Sequence, residues 1–287
     1  MSIVVTGATG HLGRLVVTHL LADGVPADQI VAAGRRTETL ADLAGRGVRV
    51  AALDYGKPET IAAALEGAET VLLVSGSEVG QRVDQHRAVI EAAKAAGVRR
   101  LVYTSAPKAD TSPLVLAPEH KATEEILRAS GLTFTILRNG WYTENYLGDV
   151  QQARETGEIV GSFGDGRVAS APRDDFAAAA AVVLRTEGHD DAVYELSGDA
   201  AWGFDELAAA ASEVLGRPVT YRAVSSEQRR ADLTAAGLDE GTVGFVVALE
   251  ENTRDGLLAE TPGDLSRLIG RPTTPLVDAL RAALAQA

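Results

Sequence analysis

Hydrophobic and polar positions follow two rhythms along the first half of the chain. Short β-branched runs read as strands: I-V-V-T at 3–6, I-V-A-A at 30–33, V-R-V-A-A at 48–52, T-V-L-L-V at 70–74, R-L-V-Y-T at 100–104 and T-F-T-I-L at 133–137. Between them lie stretches of helical period, Leu12 to Ala22, Ile61 to Leu65, Arg82 to Ala96 and Glu119 to Ala129. Apolar strands alternating with helices predict βαβ units and a parallel sheet covered on both faces. Glycines in G-V-R-R and G-L-T, just ahead of the fifth and sixth strands, supply helix stops.

After about residue 140 the rhythm changes. Longer helical patterns (Phe176 to Leu184, Phe204 to Leu215, Leu276 to Ala285) alternate with short segments, V-Y-E-L at 193–196 and V-T-Y-R at 219–222. The expected architecture is α/β, a doubly wound parallel-sheet (Rossmann) domain over residues 1–140. A smaller α+β cap over 141–287 follows, with room for segments to return to the sheet. No Pro/Gly-rich linker separates the parts, so close packing is expected.

Composition narrows the function classes. Apolar residues make up 46% and charged residues 23% of the 287 residues, enough to bury a sizeable core. The 27 basic and 40 acidic residues leave a formal charge of −13, which argues against a nucleic-acid surface built on clustered Lys and Arg. With no cysteine, thiol catalysis, disulfides and thiolate metal sites are excluded. The alanine-rich run at 176–184 is too short to span a bilayer. Met1-Ser2 leads straight into an apolar strand with no signal-peptide pattern, and a cytoplasmic protein is expected.

The strongest motif is V-T-G-A-T-G-H-L-G at 5–13, between the first strand and the first helix. Gly7 permits a tight turn, Gly10 lets backbone approach a pyrophosphate, and Gly13 lets the helix pack on the sheet. The helix start, with Thr9, His11 and Leu12 in the loop, presents N–H groups to phosphates. At the end of the second strand, where an NAD site usually carries a carboxylate, stands A-G-R-R. Arg35 can hold a 2′-phosphate through charge-assisted hydrogen bonds, so NADPH (NADP) is the expected cofactor. Further strand ends supply Asp54 and Tyr55 for the adenine, Ser75, Gly76 and Ser77, and Thr104 with Ser105. All sit at the carboxyl edge, where ligands of such sheets bind.

These residues resemble the NmrA-like group of atypical short-chain dehydrogenases, and within it the bacterial type-2 NADPH:quinone oxidoreductases. The resemblance rests on G-S-E-V-G-Q-R at 76–82, K-A-D-T-S-P-L at 108–114, L-R-N-G-W-Y-T-E-N-Y at 137–146, S-G-D-A-A-W at 197–202 and L-S-R-L-I-G-R-P-T-T-P-L at 265–276. It covers nearly the whole chain. It implies hydride transfer from NADPH to a quinone, with triphenylmethane dye reductases as cousins. The group also holds regulators that bind the dinucleotide without turnover.

One departure carries chemistry. Short-chain dehydrogenases place a tyrosine four residues before a lysine; here Lys121 is preceded at that distance by Ala117. Hydride delivery to a ketone makes an alkoxide that needs an acid. Delivery to a quinone makes an anion whose conjugate acid titrates near ~10, as tyrosine does, and which a few hydrogen bonds can stabilise. Lys121, His120 and Ser105 are the catalytic candidates, stabilising developing negative charge rather than serving as an obligatory acid. Asn139 is expected beside the nicotinamide, and Trp141, Tyr142 and Tyr146 as flat walls for an aromatic acceptor. His19, His86 and His189 lack metal-ligand spacing and read as helix-surface or loop residues, and no metal or flavin is expected. The partner is a small-molecule electron acceptor, without nucleic acid or membrane, taken up by a monomer or homodimer. Reduction of a ketone, imine or dye, and NADP(H) sensing without chemistry, are the alternatives.

Overall fold

The structure is a computed structural model and describes residues 2–78 and 80–286. Val79, within the G-S-E-V-G-Q-R stretch, and the terminal Met1 and Ala287 lie outside the described residues. The strands in chain order are β1 (Ile3–Val5), β2 (Ile30–Gly34), β3 (Arg49–Ala52), β4 (Thr70–Leu73), β5 (Arg100–Ser105), β6 (Thr133–Asn139), β7 (Glu158–Gly161), β8 (Arg167–Val168), β9 (Ala192–Leu196), β10 (Trp202–Gly203) and β11 (Thr220–Ala223). Seven of them form one parallel sheet in the order β3-β2-β1-β4-β5-β6-β9. The six strands expected from the first half are all present.

Successive strand residues face opposite layers, and each layer has its own core. Ile3, Val5, Ile30 and Leu72 pack with α1 (His11–Ala22), the short α2 (Ala41–Gly45), α7 (Arg173–Arg185) and α11 (Asp264–Ile269). Val4, Val31, Val71, Leu73 and Leu101 pack with α3 (Pro58–Ala64), α4 (Arg82–Ala95) and α5 (Ala117–Ala129). Pro58 stands at the start of α3, where its missing N–H has no helical partner to lose. The alanine run in α7 has a packing role. Ala177, Ala180 and Ala181 are buried, so the helix sits close against α1 and the sheet. His19–Asp174 at 2.8 Å and Arg185–Asp23 at 2.9 Å tie those two helices.

The second half does not stay in the cap. The V-Y-E-L segment, expected there, becomes β9, the edge strand beside β6, while α7 and α11 cover the first layer. The remaining cap has its own core around α6 (Leu147–Thr156), α8 (Phe204–Leu215) and α12 (Leu276–Gln286). Phe163 stacks on Phe204 there at 3.6 Å, with Tyr146 and Trp202 edge-on to the pair. Two small sheets, β8–β10 antiparallel and β7–β11 parallel, complete it. α9 (Ser226–Ala235) buries no residue, whereas α10 (Glu240–Arg254) buries Val243 and Val247 and packs Leu249 against this core; the sequence reading singled out neither helix. No helix among the described residues is long and apolar enough to cross a membrane.

The glycine loop is sterically closed. Gly7 has φ +61°, and a Cβ on Gly13 would lie 2.6 Å from the Gly7 carbonyl oxygen and 2.9 Å from Ala8 Cα. Backbone on both sides leaves no flexible atom to yield. Gly13→Ala is therefore expected to cost about 1–3 kcal/mol, the usual range for overpacking. A lowered thermal midpoint by circular dichroism would register it; an unchanged midpoint would show that the loop can shift.

Candidate active site

On one side of β1 the chain continues to β2, and on the other it crosses to β4, so the two crossovers diverge above the carboxyl edge. Ligands of such sheets bind at this divergence. A cavity of about 230 Å³ lies there, lined by Gly7, Thr9, Gly10, His11, Leu12 and Gly13 of the glycine loop, and by Arg35, Asp54, Tyr55, Ser75, Gly76 and Ser77. Gly10 caps α1 in an extended conformation with no side-chain acceptor for the first-turn N–H groups, and that turn has no acidic residue. It is a positive helix end open to an anion. A Cβ on Gly34 would stand 2.8 Å from Thr9 Oγ1, which brings the end of β2 against this loop.

The other cavity residues differ in how free they are. Arg35 is mostly exposed and donates to Glu78 Oε1 at 2.9 Å, while Gln85 holds the other Glu78 oxygen at 2.8 Å. Asp54 accepts from its own turn, Gly56 N at 3.0 Å. Tyr55 has a structural task beyond lining the cavity. Its hydroxyl donates to the Val74 carbonyl at 2.7 Å and shares a 2.6 Å hydrogen bond with Thr6 Oγ1. Burial pushes its pKa well above that of an ordinary phenol.

The segment after β4 borders this cavity and has left the sheet ladder, so side chains satisfy its backbone. Val74 N donates to Thr6 Oγ1 (3.0 Å), Ser75 N to Thr104 Oγ1 (2.9 Å), Gly76 N to His86 Nε2 (2.9 Å) and Gly80 N to Glu119 Oε1 (2.8 Å). Arg82 Nε donates to the Gly76 carbonyl, and its guanidinium pairs with Glu119. His86 is thus corrected from a surface residue to a fully buried one. Because its Nε2 accepts a backbone N–H, its proton sits on Nδ1 and points to Thr123 Oγ1 at 3.1 Å. Nothing in the sequence separated Arg82 and His86 from an ordinary solvated helix face.

A second cavity, of about 270 Å³, shares Ser75, Gly76 and Ser77 with the first. Thr104, Ser105, His120, Asn139, Trp141 and Tyr142 line it, together with Asn145 and Arg173, which the sequence did not single out. Asn139 donates through Nδ2 to the Tyr142 hydroxyl at 3.1 Å, and its buried Oδ1 has no partner among the described residues. Arg173 lies 4.6 Å over the Tyr142 ring and donates to Asn145 Oδ1 at 2.9 Å. His120 Nδ1 shares a 2.7 Å hydrogen bond with the Tyr103 hydroxyl, and burial pushes the imidazole pKa down to about 3.

Three expected residues are placed otherwise. Lys121 is exposed and lines neither cavity. The buried stripe of α5 is Ala117, His120, Thr123, Glu124 and Leu127, and one residue beyond His120 the helix has turned ~100° away. Tyr146 is packed in the cap core and lines neither cavity, because the chain turns through a short 3₁₀ segment after Tyr142. Ser105 borders the second cavity, but its hydroxyl proton is committed to Glu124 Oε1 at 2.7 Å. Arg138 holds that carboxylate with two hydrogen bonds, 2.9 and 2.7 Å, and also reaches Glu195 (2.8 Å) and Asp110 (3.0 Å). No group of three or more His, Asp or Glu that could hold a metal lies among the described residues.

The buried imidazoles give the fold an acid limit. His86 and His120 take up a proton near 6.5 when unfolded and near 3 when folded. Between those values the unfolded chain binds more protons, so their contribution is fully present above pH 6.5 and declines as pH falls toward 3. Thermal midpoints measured from pH 7 to 4 should fall, and His86→Gln or His120→Gln should flatten the slope. A variant with the native slope would remove that histidine from the account.

The model of the NAD(P)H-binding family matches residues 7–187. Quinone oxidoreductase 2 of Escherichia coli is 47% identical over 97% of both chains. The structure of the NADPH-dependent quinone oxidoreductase from Escherichia coli complexed with NADPH superposes with a TM-score of 0.93 at 46% identity, covering 98% of this chain and 99% of that one. The triphenylmethane reductase of Citrobacter sp., complexed with NADP(H), superposes at 0.92 with 39% identity over 99% of this chain and 100% of that one. With strand order, glycine loop and paired cavities in place, the chain belongs to the NAD(P)H-binding family, in its NmrA-like branch.

Proposed function

We propose that this protein is an NADPH-dependent oxidoreductase that passes hydride directly to a quinone or a similarly conjugated acceptor. The carrying observation is the junction of the two cavities on Ser75–Ser77, with the unpartnered buried Asn139 Oδ1 at the acceptor side. An orphaned carbonyl oxygen costs about 1–3 kcal/mol, and the amide N–H of a nicotinamide carboxamide would satisfy it. The first cavity fits the rest of the dinucleotide. The open end of α1 and the Gly7–Gly13 backbone hold the pyrophosphate, Arg35 the 2′-phosphate, and Asp54 with Tyr55 the adenine end. The bound dinucleotide supplies the hydride.

The chain's own residues orient and shield. Thr104, His86 and Glu119 fix the backbone beneath the nicotinamide position, and Trp141 and Tyr142 give flat walls to a planar acceptor. His120 and Thr104 offer hydrogen bonds to its oxygens; Lys121 does not take part, and Ser105 acts through its pair with Glu124. The relatives' names, a quinone oxidoreductase and a triphenylmethane reductase, fit one cleft that accepts flat conjugated molecules. On this reading residues 1–140 carry the cofactor. Residues 141–287 form the acceptor cap, apart from α7, β9 and α11, which return to the sheet. The protein works in the cytosol on a small molecule, without nucleic acid, as a monomer or homodimer.

Steady-state oxidation of NADPH and NADH over quinones, dyes, ketones and imines tests this. Robust dye, ketone or imine reduction with no benzoquinone activity would overturn the quinone assignment. Tight NADPH binding without turnover on any acceptor would point to a sensor. Lys121→Ala should leave quinone reduction unchanged. Arg35→Ala should lose about 1.5–3 kcal/mol of NADPH preference, roughly 10–100-fold in the NADPH to NADH ratio, as for a hydrogen bond to a charged group. Glu78→Gln, which frees that guanidinium, should instead tighten NADPH in a fluorescence titration. An unchanged ratio in the first variant would remove Arg35 from the site.

A further inference from the structure

We propose that Tyr142 is the proton donor to the acceptor, supplied from the exit of β6 in place of the phenol that Ala117 does not provide. The proposal rests on the quinone-reductase reading above and assigns one group in its cleft a chemical role.

The groups lining the second cavity can be sorted by what they do with a proton. Arg82 and Arg173 do not release theirs. Ser105 has already given its hydrogen bond to Glu124. Thr104, Ser75 and Ser77 are aliphatic alcohols, able to donate hydrogen bonds but far too weakly acidic to lose a proton. His120 is neutral, and a neutral imidazole parts with its remaining proton less readily than a phenol does. Among the described lining residues Tyr142 alone carries a phenol.

Its setting suits the task. Asn139 donates to the Tyr142 oxygen at 3.1 Å, and the hydroxyl's own hydrogen has no acceptor among the described residues. Arg173 lies 4.6 Å over the ring and Phe176 meets it edge-on at 5.1 Å, so the ring is clamped and a cation stands beside any phenolate that forms. Burial raises the phenol pKa, opposed by Asn139 and Arg173, so the hydroxyl stays protonated at neutral pH. Arg173 and Asn139 are positioning residues.

The step balances. A quinone that has received hydride, and with it two electrons, is a hydroquinone monoanion. The Tyr142 O–H bond breaks, its proton passes to the anionic oxygen, and the bonding pair stays on Tyr142 as phenolate. Water then returns the proton, so the net change is NADPH, quinone and H⁺ to NADP⁺ and hydroquinone. A cationic triphenylmethane dye differs in one respect: hydride on its central carbon gives a neutral product, and no proton is needed.

Tyr142→Phe keeps the ring between Arg173 and Phe176 and removes only the hydroxyl. Its kcat with 1,4-benzoquinone should fall roughly 10–100-fold, at or below the bottom of the ~10²–10⁴-fold usual for general acids because a quinone anion needs modest help. The rate should recover as a buffer acid is added, which the native enzyme should not show. The loss of kcat with a cationic triphenylmethane dye, whose reduction needs no proton, should be far smaller than the loss with benzoquinone. No loss with benzoquinone, or a loss that buffer acid does not restore, would overturn the assignment. An equal loss on quinone and dye would do the same. Native protein that turns over no acceptor would instead defeat the functional reading beneath it.

Discussion

The backbone that follows β4 has no ladder partner, and much of the site is organised around that constraint. At the divergence of β1 and β4 the chain leaves the sheet beside the nucleotide cavity, where an unpaired buried N–H costs about 1–3 kcal/mol. Thr6 just after β1, Thr104 from β5, His86 from α4 and Glu119 from α5 each accept one of its N–H groups. Those demands explain why α4 and α5 carry Arg82, His86 and Glu119 where they meet this segment. They also fix the imidazole tautomer, since a protonated His86 could no longer accept from Gly76. The backbone around the segment shared by the two cavities is therefore held by side chains reaching from two strand ends and two helices.

Charge follows the same logic. The chain is strongly acidic, yet each buried cation near the site meets carboxylates at short range. Arg82 pairs with Glu119, and Arg138 with Glu124, Glu195 and Asp110. A buried ion pair adds little stability compared with an apolar core, but removing one partner leaves an uncompensated charge. Arg138 joins β6, α5, β9 and the β5–α5 loop at one point. The second half of the chain is thereby tied to the acceptor edge through β9, and not only through the cap that covers it.

The sequence made the sheet legible because buried parallel strands are apolar runs with turn residues between them. The glycine loop was legible because its spacing has one steric reading, which Gly7 and Gly13 display. The face of α5 was also written in the sequence, since Ala117, His120, Glu124 and Leu127 follow helical spacing, which turns Lys121 outward. Four features were not legible. Polar residues at helical spacing look alike whether water or a loop satisfies them, so His86 read as surface. Tyr142 and Tyr146 are close in sequence but lie on either side of a turn, one at the cleft and one in the cap core. Arg173 and Asn145 reach the cleft only through tertiary packing, and V-Y-E-L has the length of any short strand, with nothing local to show which sheet it joins.

The position of the donor follows from the same packing. Ala117 is buried in the cap core with Leu114 and Tyr146, because the cap folds over the start of α5. A tyrosine there would have to displace those side chains before reaching the cleft, so the helix position used by ordinary short-chain dehydrogenases is closed to a phenol in this chain. His120, the next inward residue, is drawn into the polar contacts behind the sheet edge by its bond to Tyr103 and is held neutral. The exit of β6 is free of both demands. It borders the cleft, its Asn139 can orient a hydroxyl, and α7 brings Arg173 over the ring from the other side. The helix that supports the replacement, α7, lies in the chain between the cap helices α6 and α8, so the fold that closes the Ala117 position also brings Arg173 to the cleft.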